Sequence, residues 1–223
     1  MKRAVTEEEQ DVESWLRQGK LPEIKASLQQ RSVRTACALV QSGFRLVGER
    51  AFDALSVQEI CAGAGATEGA FYGRFQDKGS FFVVLQRITC LRSEQALAQF
   101  LERLRGKDLP FERLCRMVVA MMVERYRANV GIFRAALLHV DEGAWELFRQ
   151  LGDIYRRGLT GLLAPHLDGV RKELRALRVQ FAYQVIVGTL VHATLNDPGP
   201  LHLHDDAIVA ELSNMLAKYL RGA

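Results

Sequence analysis

The chain lacks the marks of a covalently braced or membrane-embedded scaffold. Its four cysteines, Cys37, Cys61, Cys90 and Cys115, form no CxxC pair. Each falls in an apolar helical pattern, which reads as buried reduced thiols rather than a disulfide framework or a redox motif. Long hydrophobic runs are missing too. The longest, residues 117–123 and the interrupted 181–195, fall short of the roughly 20 apolar residues that cross a bilayer. The opening MKRAVTEEEQ holds no apolar signal core, so a cytoplasmic protein with no membrane partner is expected. There is no HExxH, no GxSxG, no Walker glycine loop and no paired Cys-His motif. Zinc-protease, nucleophilic and nucleotide-hydrolysing chemistry therefore has no residues to start from; no enzyme and no cofactor are expected. Charge of one sign is scarce as well. Thirty basic residues face 26 acidic ones, a net charge of +4. That is compatible with nucleic acid without arguing for it.

What is present is helical periodicity. Little strand signal, no repeat and no low-complexity linker interrupt apolar residues spaced three and four apart. Thr6 and Glu9 fit a capping box for a first helix that stops near Gly19, and Pro22 can begin the next. Val33, Cys37, Val40, Phe44 and Val47 line one face of a helix over about 32–48. A long helix spans about 77–105, and others follow over about 110–128, 129–140, 142–164, 171–195 and 205–220. Asn129 and Asp205 or Asp206 are candidate N-caps. Nine or ten helices with short connections make an all-α chain. Its expected divisions are an N-terminal helical extension (1–30), a three-helix unit (31–78) and a larger helical unit (79–223).

Between residues 56 and 75 the sequence reads SVQEICAGAGATEGAFYGRF, two helical patterns of about two turns each. Isolated helices shorter than roughly 12–15 residues are marginal in water, so these need tertiary support. Ser56 and Glu59 have capping-box spacing, Gly65 permits a left-handed exit, and Thr67 can cap the second helix. Phe71 and Phe75 pack inward. The outer face shows Thr67, Glu68, Gly69, Ala70, Tyr72 and Arg74. This is the arrangement of a helix-turn-helix, whose second helix enters the major groove. Gly69 and Ala70 would let its backbone approach base edges. Ser56, Thr67, Tyr72 and Lys78 offer phosphate contacts. The same spacing also serves an ordinary helical corner, and Glu68 puts a negative charge on the proposed face.

These residues resemble the TetR family of transcriptional regulators. The run AFDALSVQEICAGAGATEGAFYGRFQDKGSFF (51–82) matches the family pattern at Ser56-Val57, Ile60, Ala64-Gly65, Thr67, Gly69, Phe71-Tyr72, Phe75 and Lys78. It departs at Ala51, Ala66, Gly73 and Gly79. The resemblance implies that Thr67, Tyr72 and Lys78 contact phosphates while Glu68, Gly69 and Ala70 face bases. It also implies a homodimer on a near-palindromic double-stranded DNA operator. The dimer would be built from the last two long helices, with Gly188 and Ala193 allowing close approach and Val185, Leu190, Ile208 and Leu212 in contact. It implies further a repressor released by a small apolar or amphipathic effector, the signal passing through the helix over 77–105.

Met121, Tyr126, Phe133, Trp145, Phe148 and Tyr155 are the candidate pocket walls, and Arg92, His139 and His192 the candidate polar anchors. Met and aromatics at this spacing also make ordinary core. His202, His204, Asp205 and Asp206 in LHLHDD suit a metal by type, but reading them as a loop with a helix cap is preferred, and no metal is expected. The alternative function is an all-α interaction module of the same fold that does not read DNA. The extension before residue 31 is expected to be a solvated amphipathic helix, with packing on the DNA-binding unit, or DNA contact through Lys2, Arg3, Arg17 and Lys20, as the other readings.

Overall fold

The structure, a computed structural model, describes residues 7–25, 29–138 and 144–222. These hold ten α-helices: α1 (Glu7–Arg17), α2 (Gln30–Glu49), α3 (Val57–Ala64), α4 (Glu68–Tyr72), α5 (Lys78–Leu104), α6 (Phe111–Ala128), α7 (Val130–Leu138), α8 (Ala144–Leu163), α9 (Lys172–Leu195) and α10 (Asp206–Arg221). Strands are absent among the described residues. Thr6 and His139, like Lys2 and Arg3, lie outside them.

α2 carries the apolar stripe expected of it, with Val33, Cys37, Val40 and Val47 enclosed. It supports α3 and α4 on one side and α5 on another. Gly43 makes the second contact possible: a Cβ there would stand 2.5 Å from the Phe81 ring of α5. Phe71, Phe75 and Phe81 then close on one another with ring centroids 4.8–5.3 Å apart. This aromatic cluster is the tertiary support that two short helices require.

The segment before residue 31 is not a free amphipathic helix. Val12 and Trp15 of α1 are buried, as are Leu21 and Ile24 after it. Pro22 begins no helix, because residues 18–25 run as turns along the DNA-binding unit. Glu23 receives the Nε of Arg87 from α5 at 2.9 and 3.0 Å. The Lys25 amide donates to the Arg74 carbonyl at the end of α4. The described part of this segment therefore ties α2 and the end of α4 to α5.

Two expected caps are different in detail. Asn129 turns back and donates from Nδ2 to the Arg125 carbonyl, closing α6 rather than opening α7. Asp205 stands at the α10 N-cap, but its carboxylate accepts the His202 amide instead of capping the helix. His202 Nδ1 pairs with Asp197 at 3.1 Å, and Arg127 of α6 donates to the Leu203 and Asp205 carbonyls at 2.8 and 2.9 Å, so the LHLHDD loop is held by hydrogen bonds from its neighbours as well as its own.

α8 packs along α5, and α10 along α6, with α9 bridging α8, α7 and α10. The four cysteines are buried free thiols. Burial pushes Cys90 and Cys115 up to about 12. No helix of the described residues is long and apolar enough to cross a membrane.

Candidate nucleic-acid interface and ligand cavity

The short helices form where their caps form. Ser56 Oγ accepts the Glu59 amide at 3.1 Å, and Glu59 Oε2 accepts the Ser56 amide at 2.8 Å, completing the capping box. Arg50 joins at 2.7 Å from Glu59. This guanidinium, with the Ser56 amide, draws the Glu59 carboxyl down to about 2. Gly65 at φ +61° supplies the left-handed turn out of α3. Thr67 Oγ1 then accepts the Ala70 amide at 3.2 Å and starts α4.

The eight candidate DNA residues separate into two groups. Thr67, Glu68, Gly69 and Tyr72 lie exposed on one outer face, with Ala70 half-buried beside them. Tyr72 keeps 51% of its surface open while its ring meets Phe71 edge-on. Ser56, Arg74 and Lys78 are instead engaged within the protein. Ser56 serves the capping box. Arg74 is half-buried and donates to the carbonyls of Ala70 and Ser32. Lys78 Nζ donates to the carbonyls of Asp53 and Leu55 at 3.0 and 2.7 Å and stands over the Phe52 ring. Two of the expected cations thus tie α2, α4, α5 and the turn before α3 together. The physical reason is that the turn over 52–55 and the end of α4 leave carbonyls without helical partners, which these side chains satisfy.

The second site is a cavity of about 210 Å³ between α5, α6, α7, α8 and α9. Tyr126 stacks on Phe133 at 4.5 Å, and Phe148 follows at 5.0 Å from Phe133. Trp145 and Tyr155 add to the wall, so five of the candidate pocket residues do converge. Met121, Arg92 and His192 do not, and His139 lies outside the described residues. Met121 packs elsewhere, and its neighbour Met122 faces the cavity. Arg92 lies over the Phe44 ring of α2, at 5.0 Å. His192 is exposed on α9.

The polar groups of the cavity are Arg125, Ser93 and Tyr183, with Arg149 and Arg156. Arg125 donates to Ser93 Oγ at 2.6 Å, and Tyr155 OH donates to the Ser93 carbonyl at 3.3 Å. Burial raises all three phenols, Tyr155 and Tyr183 to about 12 and Tyr126 further. The sequence reading missed Arg125 because it sits in a basic helix end, RYR, where a solvated cation is the ordinary outcome. Tyr183 lies within the apolar run of α9, where an aromatic residue reads as ordinary core.

The proposed dimer contacts also divide. Ala193, Leu190, Ile208 and Leu212 are buried inside the protomer, so they cannot face a partner. Val185 and Gly188 are exposed, in line with Leu174, Leu177 and Phe181, which are 37%, 62% and 48% open. These positions recur at helical spacing and form one apolar face of α9.

Comparison with known proteins bears on both sites. A model of bacterial regulatory proteins of the tetR family matches residues 39–85. A model of the tetracyclin repressor-like C-terminal domain matches residues 110–220. Among solved structures, a TetR-family protein from Mesorhizobium loti superposes with a TM-score of 0.65 at 17% identity, covering 86% of this chain and 96% of that one. GusR of Salmonella enterica gives 0.59 at 15% identity over 87% and 100%. A transcriptional regulator from Aquifex aeolicus gives 0.56 at 17% identity over 84% and 98%. At these identities the likeness concerns the fold. No curated protein matches the sequence.

Proposed function

The chain belongs to the TetR family of bacterial regulatory proteins and has the fold of a DNA-binding transcriptional regulator; from that premise we propose a homodimeric repressor that a small effector releases from a near-palindromic operator. The division that goes with this reading is an N-terminal helical extension over 1–30, a reading unit over 31–78 and a sensing and dimerising unit over 79–223. Thr67, Glu68, Gly69, Ala70 and Tyr72 meet the DNA, and the apolar face of α9 around Leu177, Phe181 and Val185 pairs with its two-fold mate. An exposed apolar stripe of this kind is unfavourable in water unless it is covered.

One observation carries the coupling. Gly131, at the start of α7, lies so close to α2 that a Cβ there would be 2.1 Å from the Val47 carbonyl oxygen. Phe133, two residues on, is a wall of the cavity. An effector that moves Phe133 therefore acts on the reading unit through α7, a shorter route than the length of α5. Release requires only that the effector bind one head spacing better than the other.

The test is a mobility shift on DNA upstream of the gene, at two salt concentrations with non-specific competitor. The repressor reading expects a discrete, competitor-resistant complex of dimer stoichiometry. Tyr72→Ala should weaken it about tenfold on every sequence, since a hydrogen bond to a charged group contributes about 1.5–3 kcal/mol. A bulky residue at Ala70 should instead change base preference or block the groove. Diffuse, salt-erased binding on all fragments would favour the second reading, an interaction module, for which exposed Glu68 and the internal engagement of Arg74 and Lys78 speak.

A further inference from the structure

We propose that the cavity takes a compact aromatic or alicyclic monocarboxylate, with Arg125 as its counter-charge; this rests on the effector-responsive reading above. Among the described residues, every charged side chain on the cavity wall is basic: Arg125, Arg149 and Arg156. The two outer ones are already neutralised, Arg149 by Glu146 and Arg156 by Asp153. Arg125 is not. Among the described residues no carboxylate lies within ion-pair distance of it, Ser93 is its hydrogen-bond partner, and its Nε–H is enclosed with no acceptor. A half-buried guanidinium without a counter-ion is costly, and an anion brought in by a ligand relieves that cost. A planar carboxylate suits the guanidinium in shape as well as sign.

The rest of the wall sets the body of the ligand. Tyr126, Phe133, Phe148 and Tyr183 present ring faces and edges, and Val187 and Leu151 fill between them. Flat or ring-shaped apolar groups pack best there. At about 210 Å³ the space is below the 300 Å³ or so where ligand pockets usually begin, so one or two rings fit and a long chain does not. Burial keeps the three phenols protonated; Tyr155 already donates to the Ser93 carbonyl, which leaves Tyr126 and Tyr183 able to donate to an anion.

Calorimetry on the purified full chain, without DNA, tests this with benzoate, cyclohexanecarboxylate and 2-naphthoate against their primary amides. At least one acid should bind tenfold or more tighter than its amide. Arg125→Gln should erase that preference and leave the weak amide binding in place. Because Arg125 also holds Ser93, its loss can disturb the fold. Ser93→Ala keeps the guanidinium and should keep the preference, and it serves as the second variant. The proposal is overturned if acid and amide bind alike, if Arg125→Gln retains the preference, or if none of the three acids binds. Mobility shift with the same compounds separates the two ideas. An acid that binds but leaves DNA bound defeats the release reading alone. A neutral compound that releases DNA while no acid binds defeats the carboxylate alone.

Discussion

Around the reading helix, polar side chains find partners, the caps within three residues and the two cations across the packed helices. Ser56 meets Glu59, Thr67 meets the Ala70 amide, and Arg74 and Lys78 close nearby carbonyls. Around the cavity, the groups come from five helices, and Arg125 keeps a donor without an acceptor. The first region is built by local rules and packed by an aromatic cluster. The second is assembled at long range and left open. A region that must hold one shape can be filled. One proposed to receive a molecule keeps space and an unmet polar group, at a cost in stability.

Cutting both aromatic clusters gives the largest contrast. Phe71 is fully enclosed by other rings, so Phe71→Ala should lose about 3–5 kcal/mol in urea unfolding. Phe148 already borders empty space, so Phe148→Ala should lose distinctly less. Equal losses would mean that the cavity closes in solution.

Gly131→Ala tests the contact between the two regions. Replacing a helical glycine normally gains up to about 1 kcal/mol. Here the new methyl meets a backbone oxygen that cannot rotate away, and overpacking costs about 1–3 kcal/mol. Net destabilisation is expected, together with weaker coupling between effector and DNA in mobility shifts. A stabilised variant with normal coupling would remove α7 as the route.

Gln86, on the α5 segment that joins the regions, is wholly enclosed with neither amide atom partnered. Gln86→Leu should raise the midpoint of urea unfolding, by an amount corresponding to about 1–3 kcal/mol, because it removes two desolvated polar groups. A loss of stability would show that the amide has a partner in solution.

The smallest effect concerns pH. Glu59 is held at about 2 against an ordinary 4.5. Its folded value is depressed, so its contribution is present above 4.5 and fades as pH falls from there toward 2. Glu59→Gln should flatten that part of the acid unfolding curve, with little change at neutral pH.

Helix number, the turn at Gly65, the caps at Ser56 and Thr67 and the exposed run from Thr67 to Tyr72 were legible in the sequence, since each depends on residues within four positions of one another. The aromatic pocket walls were legible as a class for the same reason, through their period. Other assignments depended on distance in space. Whether Arg74 and Lys78 face DNA or carbonyls turns on where α2 and the turn at Phe52 come to lie. Whether Ile208 and Leu212 are core or interface turns on α6 covering α10. Trp15 could have stood free, and it is buried because α1 folds back on α2. Arg125 reads in the sequence like any cation at a helix end. What sets it apart is packing: the surrounding helices enclose its Nε, and among the described residues none brings a carboxylate within ion-pair distance.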